Sequence, residues 1–347
     1  MTEGKTRKDE VSLYIHIPFC QTKCPYCDFN TYSGIEHLIP NYVNALNEEI
    51  NNWSKILQDT TIRTIFFGGG TPSYLQTQYI SSTLETIRSC FNVKYDAEIT
   101  MECNPNDITE EKLEQLPSLG VNRLSIGVQS LNDSLLEVLG RRHSSLEAVN
   151  SYNIARRAGF SNISLDLMYG LPGQTIYHWE KTLNEILALS CDHLSVYCLT
   201  LEEGTPMQRN VATGLLQEPD QDLAADMYIM TEQMLSKAGY NHYEISNWAL
   251  GGMESLHNLT YWHNEPYLGV GPGAHSYLGK WRFNNIKSPR EYILRLSNKQ
   301  YEYGTFNTLS EKNISLITTV ETVETIDTFL EMSETLMLGL RLSEGIS

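Results

Sequence analysis

No stretch of this 347-residue chain approaches the ~20 consecutive apolar residues needed to cross a bilayer, so no membrane span is expected. The first ten residues, MTEGKTRKDE, are polar and lack the apolar centre of a signal peptide, which points to a cytoplasmic protein. Positive charge is scarce. Lys and Arg number 25 against 42 Asp and Glu, a net charge of −17, which argues against nucleic acid as a partner and against attachment to anionic lipid. Cysteine is sparse and odd in number, seven in all, so a secreted disulfide framework is not expected; reduced thiols are, with metal or catalysis wherever they cluster. Repeats and low-complexity tracts are missing as well. What remains is globular composition, 41% hydrophobic and 19% charged, in a chain long enough for one large α/β domain or two modest ones.

Short apolar runs alternate with amphipathic stretches. SLYIHI (12–17), TIRTIFF (61–67), AEITME (97–102), RLSIGV (123–128), ISLDLMYG (163–170) and HLSVYCLT (193–200) each have strand length, and YVNALNEEINNWSKIL (42–57) has helical spacing. Such interleaving predicts a parallel sheet covered by helices, either a barrel or an open doubly wound sheet. Polar residues and glycines gather at the strand ends, in FFGGGTP, MECNP, GVQS and YGLPGQT, where an α/β barrel builds its site. The alternation breaks down after about residue 205. We therefore expect a barrel domain over 1–205 and a smaller α+β domain over 206–347. The ending ETLMLGLRLSEGIS reads as the start of a further element, so a C-terminal portion is expected to be missing.

The most specific signal is Cys20-Gln-Thr-Lys-Cys24-Pro-Tyr-Cys27. One short loop at C-x₃-C-x₂-C can wrap three thiolates around an iron–sulfur cube, leaving one iron open to a non-protein ligand. The competing reading is a structural zinc site with His16 as fourth ligand. Cys90, Cys103, Cys191 and Cys198 have no such spacing and read as small core residues.

IHIPFCQTKCPYCDFN, FFGGGTP, GVQSLNDSLLEVLGRRH and LDLMYGLPGQT together resemble the radical S-adenosylmethionine (SAM) proteins related to oxygen-independent coproporphyrinogen III oxidase. The resemblance covers nearly the whole chain. It implies a partial (β/α)6 TIM-type barrel, with a [4Fe–4S] cluster on Cys20, Cys24 and Cys27 at its mouth. Tyr14 would lie near the cluster-bound SAM, and Gly69, Gly70 and Thr71 would hold its methionine portion. Glu102, Gln129, Arg141 and Asp166 match SAM-contacting positions of the family, and Thr200 matches less closely. The chemistry suits these residue types, since carboxylates accept from ribose hydroxyls and Arg forks onto a carboxylate.

Two features separate branches of that family. The true oxidases carry a fourth cysteine two residues after the triplet, where this chain has Phe29. His257-Asn258-Leu259-Thr260-Tyr261-Trp262 looks like the HNxxYW signature of the haem-chaperone branch, whose histidine is linked to haem. Imidazole is a common axial ligand, with His263 and His275 as lesser alternatives to His257. Tyr261 and Trp262 would supply flat surface for a porphyrin, and Lys280, Arg282, Lys287 and Arg290 a basic stretch for its propionates. The resemblance thus implies a haem chaperone that passes haem to apo-haemoproteins, some of them membrane-bound, with flavodoxin or ferredoxin as an electron donor. The alternative is a radical SAM enzyme of porphyrin biosynthesis that converts coproporphyrinogen III to protoporphyrinogen IX; Phe29 and the HNLTYW stretch count against it.

Overall fold

The structure is a computed structural model and describes residues 10–297 and 309–346. The six expected strands are present as β1 (Glu10–Ile17), β2 (Thr61–Gly69), β3 (Asn92–Cys103), β4 (Arg123–Gln129), β5 (Ile163–Tyr169) and β6 (His193–Cys198). Each runs parallel to the next. Their spatial order follows their chain order without reversal. A doubly wound sheet would reverse direction part-way, so this is the winding of a barrel.

Alternation along the strands separates two faces. Leu13, Ile15 and Ile17 of β1 and Ile65 and Phe67 of β2 point outward and are buried under helices. The helix Ile39–Ile56 packs there through Tyr42, Leu46, Ile50 and Trp53, spaced to form one apolar stripe. It begins earlier than its apolar pattern because Pro40 fits the first turn, where no N–H is needed.

The later strands do not build a separate sheet; they extend both edges of the first one. β7 (Asn241–Glu244) and β8 (Asn247–Ala249) add antiparallel beside β6. β9 (Tyr267–Val270) adds parallel to β1, followed by β10 (His275–Leu278), β11 (Trp281–Asn285) and β12 (Val320–Thr325). Register fixes what joins them. Ala249 at the end of β8 pairs with His193 at the start of β6, and Tyr267 at the start of β9 pairs with Ser12 near the start of β1. The intervening segment therefore crosses the N-terminal end of the barrel, and the helix Leu256–Trp262 within it forms a floor. Glu98 of β3 anchors that helix by accepting from Leu256 N at 3.0 Å and His257 N at 2.9 Å, a carboxylate on the positive helix end.

One buried carboxylate ties the outer helix to the added strands. Glu49 accepts from Tyr292 Oη at 2.5 Å, Gly271 N at 2.8 Å, Asn285 Nδ2 at 2.7 Å and Thr319 Oγ1 at 2.8 Å. No helix among the described residues is long and apolar enough to cross a membrane.

Candidate cofactor chamber

The inward face of β1–β6 encloses a cavity of about 550 Å³. Its mouth is the loop after β1, which carries the three cysteines; its floor is the helix Leu256–Trp262. Every expected SAM residue lines it: Tyr14, Gly69, Gly70, Thr71, Glu102, Gln129, Arg141, Asp166 and Thr200 all face this one space, together with Cys20, Cys24, Cys27 and His257.

The cysteine loop is shaped by its contacts with the glycine loop after β2. Gly70 N donates to Ile17 O at 2.7 Å, and Thr71 N to Phe19 O at 2.9 Å. A Cβ on Gly70 would lie 2.6 Å from Phe19 O and 3.1 Å from Cys20 Sγ, so only glycine permits this approach. Polar groups lie beside each thiol: Thr71 Oγ1 is 3.6 Å from Cys20, Arg141 Nη1 3.8 Å from Cys24 and Thr31 Oγ1 3.8 Å from Cys27. Burial raises the Cys20 and Cys27 thiols above their ordinary range. No three His, Cys, Asp or Glu side chains among the described residues converge as a single metal ion would require. His16 is also committed elsewhere, with Nδ1 to Tyr14 Oη at 3.1 Å and Nε2 to Asn30 O at 3.0 Å. The zinc alternative thus loses its fourth ligand. Three thiols spread around one loop, beside the Arg141 cation, fit a larger anionic cluster.

Two carboxylates share the middle of the chamber. Glu102 Oε2 accepts from Gly69 N at 3.0 Å, and burial, then the charge of Asp166, push its carboxyl up to about 8. Asp166 accepts from Ser125 Oγ at 2.9 Å and Ser164 Oγ at 3.2 Å, yet burial still raises it. Gln129, ending β4, adopts φ of 64°, a strained setting that turns its side chain into the chamber. Arg141 Nη2 donates to Gly127 O at 2.7 Å, and a Cβ on Gly127 would crowd the side-chain ends of Gln129, at 2.9 Å, and Arg141, at 3.1 Å.

His257 lies on the floor, 1% exposed. Its Nδ1 meets Thr64 Oγ1 at 2.7 Å and its Nε2 meets Tyr261 Oη at 2.9 Å. Burial, then the charges of Arg63 and Arg123, lower its pKa to about 3, so the ring is neutral and holds a lone pair at any physiological pH. Phe66 stacks on it at 5.0 Å between ring centres.

Several expectations require correction. Trp262 does not line the chamber; it lies beneath the Arg341 guanidinium, 4.4 Å from its ring centre. Arg282 is not available for a propionate, because both its terminal nitrogens donate to Glu334 at 2.6 Å. Lys280 sits over Trp281, and Lys287 and Arg290 are on the exterior. Of the four remaining cysteines, Cys103 and Cys191 are buried, but Cys90 is half-exposed and Cys198 exposed. Sequence reading also passed over Arg123 and Ser125, whose inward position follows from period-two alternation with Gly127 and Gln129.

The model of the radical SAM superfamily matches residues 14–186. Heme chaperone HemW of Bacillus subtilis is 41% identical over 338 residues, spanning 97% of this chain and 84% of that protein. The chain belongs to the radical SAM superfamily, in its HemW-type branch. A HemW-type relative from Mycobacterium tuberculosis is 38% identical over 86% of this chain and 77% of its own length. Among solved structures, coproporphyrinogen III oxidase (HemN) of Escherichia coli, a radical SAM enzyme, superposes with a TM-score of 0.81 at 25% identity, over 97% of this chain and 77% of that one. Membership of the family implies a [4Fe–4S] cluster and SAM.

Proposed function

We propose that this HemW-type chain binds haem as cargo and hands it to apo-haemoproteins, with a [4Fe–4S] cluster on Cys20, Cys24 and Cys27 and a SAM site that shares the chamber with haem. The observation that carries the reading is the floor histidine: His257, neutral and held through Nδ1 by Thr64, presents Nε2 toward the chamber that the cysteine loop caps. A fixed Nδ1 partner is how proteins commonly orient a metal-binding imidazole. Ligation requires Tyr261 to release Nε2, a single side-chain rotation. The relatives named heme chaperone support the same reading.

In this reading Arg141 takes the SAM carboxylate, Glu102 and Asp166 take its hydroxyl and cationic groups, and Gln129, Tyr14, Thr200 and the Gly69–Thr71 loop complete the pocket. Cys20, Cys24 and Cys27 would hold the cluster, which when bound would offer one-electron reducing chemistry beside the SAM pocket, with a carrier such as flavodoxin or ferredoxin as the electron source. The chain's own residues do the rest: they orient SAM, shield it from water and keep the floor imidazole unprotonated.

The test is haem titration, read by absorption, of protein rebuilt anaerobically with iron and sulfide. His257→Ala should weaken haem binding at least tenfold with the cluster absorption unchanged. Normal haem binding by that variant would remove His257 from the site. The likeness to HemN favours a second reading, oxidation of coproporphyrinogen III. Phe29, exposed where the oxidases carry a cysteine, weighs against it. Anaerobic turnover of coproporphyrinogen III would displace the haem reading.

A further inference from the structure

Arg123 is a charged residue of the chamber wall whose Nε has no acceptor. It opens β4 and lines the cavity floor at 2% exposure. Its Nε has no partner, and among the described residues its guanidinium forms no hydrogen bond or ion pair. The acceptors around it have other partners, although the Asp166 charge lies near enough to attract it. Asp166 serves Ser125 and Ser164, and both Glu98 oxygens hold the floor helix. His193 is bonded on both nitrogens, to Ser164 Oγ and to Tyr243 Oη, each at 2.8 Å. The other arginines that are half-buried in the barrel wall all reach an acceptor: Arg63 reaches Glu265, Arg142 reaches Asp107 and Arg156 reaches Asp192.

A buried guanidinium whose Nε has no acceptor is costly to keep, and an incoming anion removes that cost. Its planar fork matches a carboxylate best. SAM carries one carboxylate, and Arg141 awaits it at the opposite, cysteine end of the chamber. His257 and Arg123 line the same cavity, and the charges of Arg63 and Arg123 both act on the imidazole ring. A ligand that offers both a metal centre for the imidazole and a carboxylate for the guanidinium is a metalloporphyrin with propionate arms.

We infer that Arg123 is the propionate receptor of the haem site, holding one carboxylate of the porphyrin on the chamber floor while His257 faces the iron. The inference rests on the haem reading above. It also relocates the anionic contacts from the 280–290 stretch, where Arg282 is already paired, into the barrel.

The experiment compares haem with its dimethyl ester, in which both propionates are neutral, by absorption titration of the cluster-loaded protein without SAM. The unaltered protein should bind haem about tenfold more tightly than the ester, the scale of one charge-assisted contact. Arg123→Gln should lower haem affinity to that of the ester and leave the ester unchanged, and Arg123→Lys should fall between. Equal affinity of the unaltered protein for haem and ester overturns the inference without any variant, so a misfolded variant cannot shelter it. Retention of the preference by Arg123→Gln also overturns it. So does loss of the SAM-dependent cluster signal in that variant with haem binding intact, which would assign Arg123 to the SAM carboxylate. If the unaltered protein binds neither porphyrin, the haem reading itself falls and this inference falls with it.

Discussion

Replacing Glu102 by glutamine tests the electrostatics of the chamber directly. In the folded chain its carboxyl is pushed up to about 8 from an ordinary 4.5, by burial and by Asp166. A raised value means that the stability Glu102 contributes is complete below pH 4.5 and is lost as pH rises through about 8. At about 1.4 kcal/mol per pH decade, the full loss would approach 5 kcal/mol. Glu102 is only half-buried and faces an open chamber, where water relieves part of this; we expect about 2 kcal/mol. Glutamine cannot ionise and keeps the acceptor for Gly69 N. Urea unfolding at pH 5.5 and 8.5, which spans about two thirds of that titration, should therefore show the unaltered protein losing about 1.3 kcal/mol more than Glu102→Gln. SAM, which brings positive charge beside the carboxylate, should shrink the difference. Equal losses in the two proteins would refute the assignment of Glu102 as a proton-bearing group at neutral pH.

Other consequences can be measured as directly. Gly70→Ala places a methyl group against Phe19 O and Cys20 Sγ, so the variant should fold but take up less than a tenth of the normal iron and sulfide on reconstitution. Glu49→Gln turns an amide NH₂ toward two of the four donors that the carboxylate now satisfies, and should lower unfolding free energy by about 3 kcal/mol in urea. Since the SAM residues and His257 line one cavity of about 550 Å³, room for a single drug-sized ligand, SAM should displace haem from the protein. Haem should in turn weaken SAM binding by the same factor; titrations in which each ligand ignores the other would refute the shared space.

Much of this architecture was legible in the chain. The six strands follow from apolar runs bounded by glycines and polar residues, and the C-x₃-C-x₂-C loop lies at the chamber mouth, where the family resemblance implied it. Period two along a strand is a strong signal, and it would also have found Arg123 two residues before Ser125. Periodicity alone does not separate a barrel from an open sheet, because both use the same strands and differ only in spatial order; the family resemblance supplied the barrel. The floor was invisible for a similar reason. HNLTYW reads as a signature with a histidine, but its position beneath the barrel depends on β8 pairing with β6 and β9 with β1, contacts far apart in sequence. Trp262 illustrates the limit of composition: an aromatic next to the site residue suggested a porphyrin surface, whereas helical geometry turns it about 100° away from Tyr261 and onto Arg341. The basic stretch misled likewise, since acidic Glu334 lies 52 residues from Arg282 in the chain and meets it only in the fold.

The segment that crosses beneath the barrel is fastened at both ends, to β6 through β8 and to β1 through β9. Those two strands flank the six-stranded wall, so the segment is a cord tied to both of its sides. His257 rides on that cord, and its place in the chamber is set by strand pairings on two flanks at once.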